Sequence, residues 1–578
     1  MGRMNFRWQL TPPQPLLADS LARALRISPL LAQCLINRGL TETGCCRAYL
    51  EPKLARLQDP FALPGMVEAV DRLEQARLRG ERVVLFGDYD VDGVTATALL
   101  QEVLEGLGWS TAVYLPHRLE EGYGLSPEAV ANCLARFPTR LLLAVDCGST
   151  SFEVIRQLQD RGVDVLVVDH HQVSQPAPPA CALVNPRVRT GPDAQPVPFG
   201  ELCSVGLAFK LAHALVKRGR QQGRPEAAAF DLRPLLDLVA LGTIADVVPL
   251  SGENRILVKA GLARLNATRR PGLQALCQVA RCPEPLDTYE VGFQLAPRLN
   301  AAGRLETAEA AFHLLRARSP MEAGPLADQL NRWNRDRQAL ERRILEQVLQ
   351  RLRDRFNPET DYVIVEGHPD WHLGVVGIVA ARIVQEFYRP TLILGGDGET
   401  WRGSGRSIPG FDLAAALRRC SDLLLRHGGH AMAAGVSVLP RHLDALRVRL
   451  NELARQALAP EALQPVLRID AEVALHQLTT SLLCELDRLR PFGLGNPTVQ
   501  LAARALTHHR PLQRFGPDRQ HVRLWVTDGT AVLETVWWNG GDQPLPVGRF
   551  DLAFVPQWRS RDGQRTVQLR LLDWRPAA

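Results

Sequence analysis

Lysine is almost missing from this chain. Of its 68 basic residues only Lys53, Lys210, Lys217 and Lys259 are lysines. No G-x-x-x-x-G-K-[ST] loop occurs, so a P-loop is excluded as the phosphate-handling device. A nucleophile elbow G-x-S-x-G is absent too, because Gly403-Ser404-Gly405 lacks the second spacing. No run of about 18 or more apolar residues exists, and the opening Met1-Gly-Arg-Met-Asn-Phe-Arg-Trp has no apolar core of a signal peptide. These absences predict a soluble cytoplasmic protein that makes no membrane contact. The eleven cysteines are odd in number and irregular in spacing, which reads as free thiols in a reducing compartment. Cys277 and Cys282 are too far apart for a C-x-x-C knuckle, Cys45-Cys46 are adjacent and read as packed or idle, and Cys147 is read as structural. A net charge of +6 is mild and does not by itself point to nucleic acid, while 578 residues leave room for several domains.

What is abundant is acid at the ends of apolar runs. Val83-Val84-Leu85-Phe86-Gly87 is followed by Asp88-Tyr89-Asp90-Val91-Asp92. Leu141–Val145 closes on Asp146-Cys147-Gly148-Ser149-Thr150, and Val163–Val168 closes on Asp169-His170-His171. Amphipathic stretches at Thr95–Gly106 and Phe152–Arg161 separate them. Strand, acid, helix, strand, acid is the pattern of a parallel sheet with right-handed crossovers, and ligands bind such sheets at the carboxyl ends of the strands. All three clusters therefore share one rim. A fourth acid, Asp246, closes Leu238–Ala245, a run that suits a strand or a helix equally.

A solvated acidic loop explains the first run as well as a site does; recurrence decides between them. Like charges this close repel, and a divalent cation with a taste for oxygen relieves the repulsion. The set is large enough for two metals sharing one carboxylate. Such a pair suits in-line displacement at phosphorus without a serine, cysteine or histidine nucleophile. Neighbouring side chains alternate along an extended chain, so one histidine of the pair ligates metal while the other reaches a phosphate.

Nine segments in order resemble the DHH phosphoesterase superfamily, and within it the bacterial exonucleases specific for single-stranded DNA. They are Gly87-Asp-Tyr-Asp-Val-Asp-Gly93, Val145-Asp-Cys-Gly-Ser149, Asp169-His-His171, Gly242-Thr-Ile-Ala-Asp246, Pro297-Arg-Leu-Asn-Ala-Ala-Gly-Arg-Leu305, Trp371-His-Leu-Gly-Val-Val-Gly377, Gly403-Ser-Gly-Arg-Ser407, Gly428-Gly-His-Ala-Met-Ala-Ala-Gly435 and Pro491-Phe-Gly-Leu-Gly-Asn-Pro497. The resemblance implies two divalent ions, manganese preferred and magnesium possible, and release of 5′-mononucleotides from the 5′ end of single strands in recombination and repair. It implies metal ligands at Asp88, Asp90, Asp92, Asp146, His170 and Asp246, with Asp146 bridging. Asp88 stands where relatives with another first motif use histidine. His171 becomes a phosphate contact, and Arg298, Asn300, Arg304, Ser404, Arg406, Gly429 and His430 become substrate-binding residues. Ser404 and Arg406, with Arg304, are expected to hold the terminal 5′ phosphate. Single-stranded DNA is the expected partner, with a helicase and a single-strand-binding protein suggested by the family, and the expected state is a monomer.

The fold expected is α/β: a DHH phosphoesterase domain with a parallel sheet, a long connecting helix, a second α/β DHH-associated domain and a C-terminal OB-like β-barrel. Its segments are a helical stretch at 1–60, the catalytic domain at 61–315, the connecting helix at 316–358, the associated domain at 359–458 and the barrel at 462–578. Pro-rich loops are expected at 174–179 and 191–198. In the associated domain the Gly403–Ser407 and Gly428–His430 segments read as glycine-rich turns suited to a phosphate. In the barrel, Phe515, Arg519, Arg523, Trp525, Trp537, Trp538, Trp558, Arg559, Arg561 and Arg565 interleave rings and guanidiniums, as single-strand surfaces do; about half of the rings belong to the barrel core. Two other readings stay open at this point: the same chemistry on oligoribonucleotides, cyclic dinucleotides or pyrophosphate, and a DNA-binding scaffold with a vestigial site.

Overall fold

The computed structural model describes residues 6–118, 120–122, 124–188, 199–396, 398–561 and 563–577. The Pro-rich stretch at 191–198 and the first five residues lie outside the described residues, as does the side chain of Arg561. The chain forms two compact units: residues 51–336 with 490–497, and residues 1–50 with 337–489 and 498–578.

The first unit is built on a five-stranded, all-parallel sheet. Its order is Thr111–Tyr114, Val83–Phe86, Leu141–Val145, Asp164–Val168, Ala182–Val184. Val83–Phe86 and Leu141–Val145 are buried at every position, which is why they read as uninterrupted apolar runs rather than alternating ones. The strand order reverses between these two. Successive crossovers leave them toward opposite faces, and a crevice opens above their carboxyl ends. Helix Val91–Gly106 leaves the first strand almost wholly buried, packed against helices Ser204–Gln221 and Leu236–Ala245. The ambiguous run before Asp246 is thus a helix, one buried all round, so neither period shows in its sequence.

In the second unit a five-stranded mixed sheet runs Leu424–His430, Ala433–Val438, Trp401–Arg406, Thr391–Gly395, Ile364–His368. Gly403–Arg406 and Gly428–His430, expected as turns, are therefore strand residues. At residue 403 glycine lets the neighbouring strand close over the backbone: a side chain there would meet the Ile393 carbonyl at 2.7 Å. Helix Pro320–Arg355 is a single element that tolerates Pro325 within its first turns. The C-terminal strands Leu501–Phe515, His521–Thr527, Val532–Trp537, Gln564–Pro576 and Phe550–Arg561 pair in that order, and Leu501–Phe515 also pairs with Phe550–Arg561, closing a barrel. Near the N-terminus, Arg7–Leu10 is a strand ahead of helices Pro15–Leu25, Pro29–Ile36 and Thr43–Leu50. Its partner, Val466–Ile469, lies more than 450 residues away, a distance that hides the pairing from local sequence pattern.

Candidate metal centre and phosphate site

Four chain segments bring their acids to the crevice. Asp90 caps helix Val91–Gly106, accepting the Gly93 N–H at 3.1 Å. One turn into that helix, Asp92 is buried and accepts the N–H groups of Ser204 and Val205 at 2.7 and 2.8 Å, so the start of helix Ser204–Gln221 fixes its carboxylate. Asp146 follows Leu141–Val145 with φ of 65°, a left-handed conformation that few side chains accept, and takes the Ser204 hydroxyl at 2.7 Å. Asp246 ends helix Leu236–Ala245. That helix can come close because residue 242 is glycine: a Cβ there would lie 2.3 Å from the Thr95 hydroxyl and 3.2 Å from Asp92 Oδ1.

Asp169 has a supporting role. It accepts the N–H groups of Ser149, His170 and His171 and sits 2.7 Å from His171 Nδ1. Burial acts to raise its carboxyl, but the His171 hydrogen bond and charge, with the Ser149 N–H, bring it well below the carboxylate range. His171 gains in return: burial opposes protonation, and the Asp169 bond and charge outweigh it, so the net shift is upward. Its neighbour moves the other way, since burial and then the adjacent imidazole lower His170 to about 4. A neutral imidazole is the form that ligates metal.

His170 Nε2 lies 3.6 Å from Asp146 Oδ1, 3.6 Å from Asp246 Oδ2 and 3.9 Å from Asp92 Oδ2. These are not hydrogen bonds: buried His170 Nε2 and Asp246 Oδ2 have no hydrogen-bond partner. Two donors on one ion at about 2.0–2.1 Å stand up to about 4.2 Å apart, so the spacing fits a shared cation. Donor atoms of Asp88, Asp90 and Asp146 also converge within 4.8 Å, as do those of Asp146, His170 and His171. Asp146 belongs to both groups. Without a cation the set is self-repelling. Burial and then Asp90 push Asp92 up to about 7, and burial, Asp92 and Asp90 push Asp246 up to about 9. Asp88 and Asp146 rise in the same direction for the same reasons, burial first. A thiol, Cys203, also neighbours Asp92 and Asp246, and burial holds it protonated, a poor ligand for a hard ion.

A cavity of about 300 Å³ opens over these acids, lined also by Arg118, Asn300 and Arg304. Asn300 Oδ1 accepts the Val91 N–H at 3.2 Å, tying helix Ala296–Leu305 to the acidic loop. Arg298 points elsewhere: it donates to the Gln294 carbonyl and to Asn331. Sequence reasoning passed over Ser204, Asp169 as an orienting group, and Arg118, which lies over the Tyr89 ring at 5.0 Å. Only Asp169, beside two histidines, carried a local signal.

The remaining expected residues assemble in the other unit. Cross-strand register places Ser404 level with Gly435 and Gly428, and Arg406 level with Ala433 and His430. Directly paired residues share a face, so Ser404, Arg406 and His430 stand on one side of the sheet over small residues. Arg406 Nη1 donates to Ser404 Oγ at 2.8 Å. Helix Leu373–Phe387 meets this pair at Gly377, where a Cβ would lie 3.0 Å from Ser404 Oγ. Hydroxyl, guanidinium and the start of a helix together suit a phosphate.

Comparison with known proteins finds family domains along the chain. The DHH family, N-terminal domain, matches residues 82–243, the DHHA1 domain 360–456 and the RecJ OB domain 469–573. The chain is 36% identical over 570 residues to the single-stranded-DNA-specific exonuclease RecJ of Bacillus subtilis (strain 168), covering 96% of this chain and 70% of that protein. With the protein of the same name from Escherichia coli (strain K12) it shares 36% identity over 563 residues, 94% of this chain and 95% of that one. The crystal structure of RecJ from Thermus thermophilus in complex with Mn2+ superposes with a TM-score of 0.83 at 32% identity, over 99% of this chain and 80% of that chain. The chain belongs to the RecJ family of single-stranded-DNA-specific exonucleases.

Proposed function

We infer that this protein is a metal-dependent exonuclease that degrades single-stranded DNA from its 5′ end to 5′-mononucleotides, in recombination and repair. The observation that carries the reading is the complete donor set around partnerless His170 Nε2 and Asp246 Oδ2. Asp88, Asp90, Asp92, Asp146, His170 and Asp246 would hold two manganese or magnesium ions, and the relatives solved with Mn2+ and Mg2+ support that choice of ion. When bound, such ions supply Lewis acidity at the attacking and leaving oxygens of a phosphodiester.

The protein's own groups orient the strand. His171, held by Asp169 through Nδ1 and raised by that partner, presents its other ring nitrogen to a phosphate oxygen. Arg304 and Asn300 line the same cavity and contact the phosphate or sugar. Ser404, Arg406 and His430 form the anion hook for the terminal phosphate, and Gly429 keeps its backbone open. Tyr289 and Phe293 stack on each other at 4.9 Å while 61% and 71% exposed, and they offer ring faces to bases. We place the enzyme in the cytoplasm as a monomer, with a helicase supplying strands and a single-strand-binding protein covering them.

The test is manganese-dependent digestion of a strand labelled at either end, with Asp146→Asn alongside. Asparagine tolerates the left-handed backbone that alanine would strain, so the variant removes charge alone. Mononucleotides from the 5′ end, lost in the variant, are expected; unchanged cleavage by the variant, or release from the 3′ end first, rejects the reading.

A further inference from the structure

Helix Pro271–Ala280 ends in a Schellman motif. Arg281 takes the left-handed conformation (φ 53°), its N–H donates to the Gln278 carbonyl at 3.1 Å, and the Cys282 N–H donates to the Cys277 carbonyl at 3.2 Å. In this motif the side chains three before the cap and two beyond it meet, usually as a hydrophobic contact. Here both are cysteines. The C-x-x-C spacing rejected from sequence is replaced in space by a helix terminus that folds the chain back on itself.

The two thiols differ from the other cysteines. Both are half-exposed and line one cavity of about 330 Å³, which gives a small molecule access. The motif's backbone turns both side chains to the wall of that one cavity. The pairing with Cys277 and then the Arg298 charge lower Cys282, against burial and Glu290, while the same pairing and burial raise Cys277. One group is prepared as nucleophile and the other as proton-bearing partner. Arg298, whose charge acts on Cys282, sits on the helix that carries Asn300 and Arg304.

We propose that Cys277 and Cys282 form a site of reversible oxidation, in which a hydroperoxide converts the dithiol to a disulfide across the helix terminus. The Cys282 thiolate attacks the terminal peroxide oxygen; the O–O bond breaks, the alkoxide leaves and is protonated to the alcohol, and Cys282 becomes a sulfenic acid. Cys277 then attacks that sulfur; its S–H proton and the hydroxide released from the S–O bond leave as water. In sum, two thiols and one hydroperoxide give a disulfide, an alcohol and water. A small dithiol reductant reverses the change by exchange.

The experiment uses the full chain, reduced, freed of reductant and treated with a slight excess of hydrogen peroxide before alkylation. Trypsin cuts after Arg281, so the disulfide is seen as two joined peptides. The joined pair is expected before oxidation of exposed Cys45, Cys181 or Cys484, and dithiothreitol should abolish it. Cys277→Ser should accumulate a sulfenic acid on Cys282 that dimedone traps, whereas Cys282→Ser should leave Cys277 unlabelled. Oxidation of the other exposed cysteines first, or dimedone label on Cys277 in Cys282→Ser, overturns the proposal. The wild-type peptide map stands even where a serine variant folds poorly.

Discussion

The acid crevice and the C-terminal barrel handle polar groups in opposite ways. In the crevice, Asp88, Asp92 and Asp146 are each 1% exposed; the Ser204 and Val205 N–H groups hold Asp92 and the Ser204 hydroxyl holds Asp146, and all three are charged at a cost that a cation removes. In the barrel, the groups suited to nucleic acid lie at the surface and lean on one another. Arg510 sits 3.6 Å over the Trp525 ring and Arg523 5.0 Å over Phe515, while Trp538, 48% exposed, is fixed edge-on against Phe515 and His521. Trp525 and Trp537 are barrel core. Chemistry at phosphorus needs donors fixed to fractions of an ångström, whereas holding an arbitrary strand needs faces that accept any base. The first is an all-or-none device, the second a graded one.

That contrast is broken most directly at Asp246. Asp246→Asn should lower strand cleavage about 10³-fold or more, and its second readout is stability. The folded-state carboxyl, raised to about 9, binds a proton that the unfolded chain has lost above its ordinary value near 3.8. In metal-free wild-type protein this carboxyl's contribution to stability should therefore be full below about pH 4 and be lost as pH rises toward 9. In EDTA, Asp246→Asn should melt higher than wild type at pH 8 and the same at pH 4, and manganese should stabilise only wild type strongly. An unchanged pH 8 melting temperature would remove the argument that these acids await a cation.

Asp169→Asn is the next largest. It leaves the six expected ligands in place and releases His171, so activity should fall about 10–100-fold. The direction of the pH profile is the sharper readout. Without its carboxylate partner His171 loses its proton at lower pH, and the alkaline limb of activity should move down. A loss of activity with no movement of that limb would make Asp169 merely a loop fastener.

Much of the crevice was legible in the sequence, for a physical reason. Strands buried on both faces are written as unbroken apolar runs, and acids placed directly after them fall on one rim by the rules of parallel sheets. Ser204 was not legible, because a serine at a helix start is the commonest of caps and its partner Asp146 is 58 residues away. Asp246 was half legible: its helix is apolar all round, so strand and helix read alike, and only family likeness marked the acid itself. The Gly403–Arg406 and Gly428–His430 strands were misread as turns, since glycine and serine mark turns locally and nothing local shows that Ile393 and Gly377 pack on the first strand or that Ala433 and Ala434 crowd Gly429 in the second. In the barrel, strand and turn alternation was plain, but which ring faces water depends on cross-strand register, which one sequence does not print.

Arg406→Ala tests a device between the two extremes, a buried-edge anion hook built on an open sheet face. Losing one charge-assisted hydrogen bond weakens binding by about 1.5–3 kcal/mol, so 5′-phosphorylated strands should lose about tenfold or more in kcat/KM. Strands with a 5′ hydroxyl should change little, because they never made the contact. Equal losses on both would move Arg406 from end recognition to general strand binding.

The smallest effect belongs to the barrel, and it is the one that shows whether the barrel is graded. Base stacking on one ring contributes about 1–3 kcal/mol, and Trp538 has neighbours that hold part of the strand when it is gone. Trp538→Ala should therefore weaken binding of long single strands about fivefold, raise KM by a similar factor and leave kcat at saturation unchanged. Oligonucleotides too short to reach the barrel should be cleaved as by wild type. If instead kcat fell on short and long strands alike, the ring would be acting through the fold of the catalytic unit rather than on DNA, and the separation of a rigid chemical site from a tolerant holding surface would fail where it is easiest to measure.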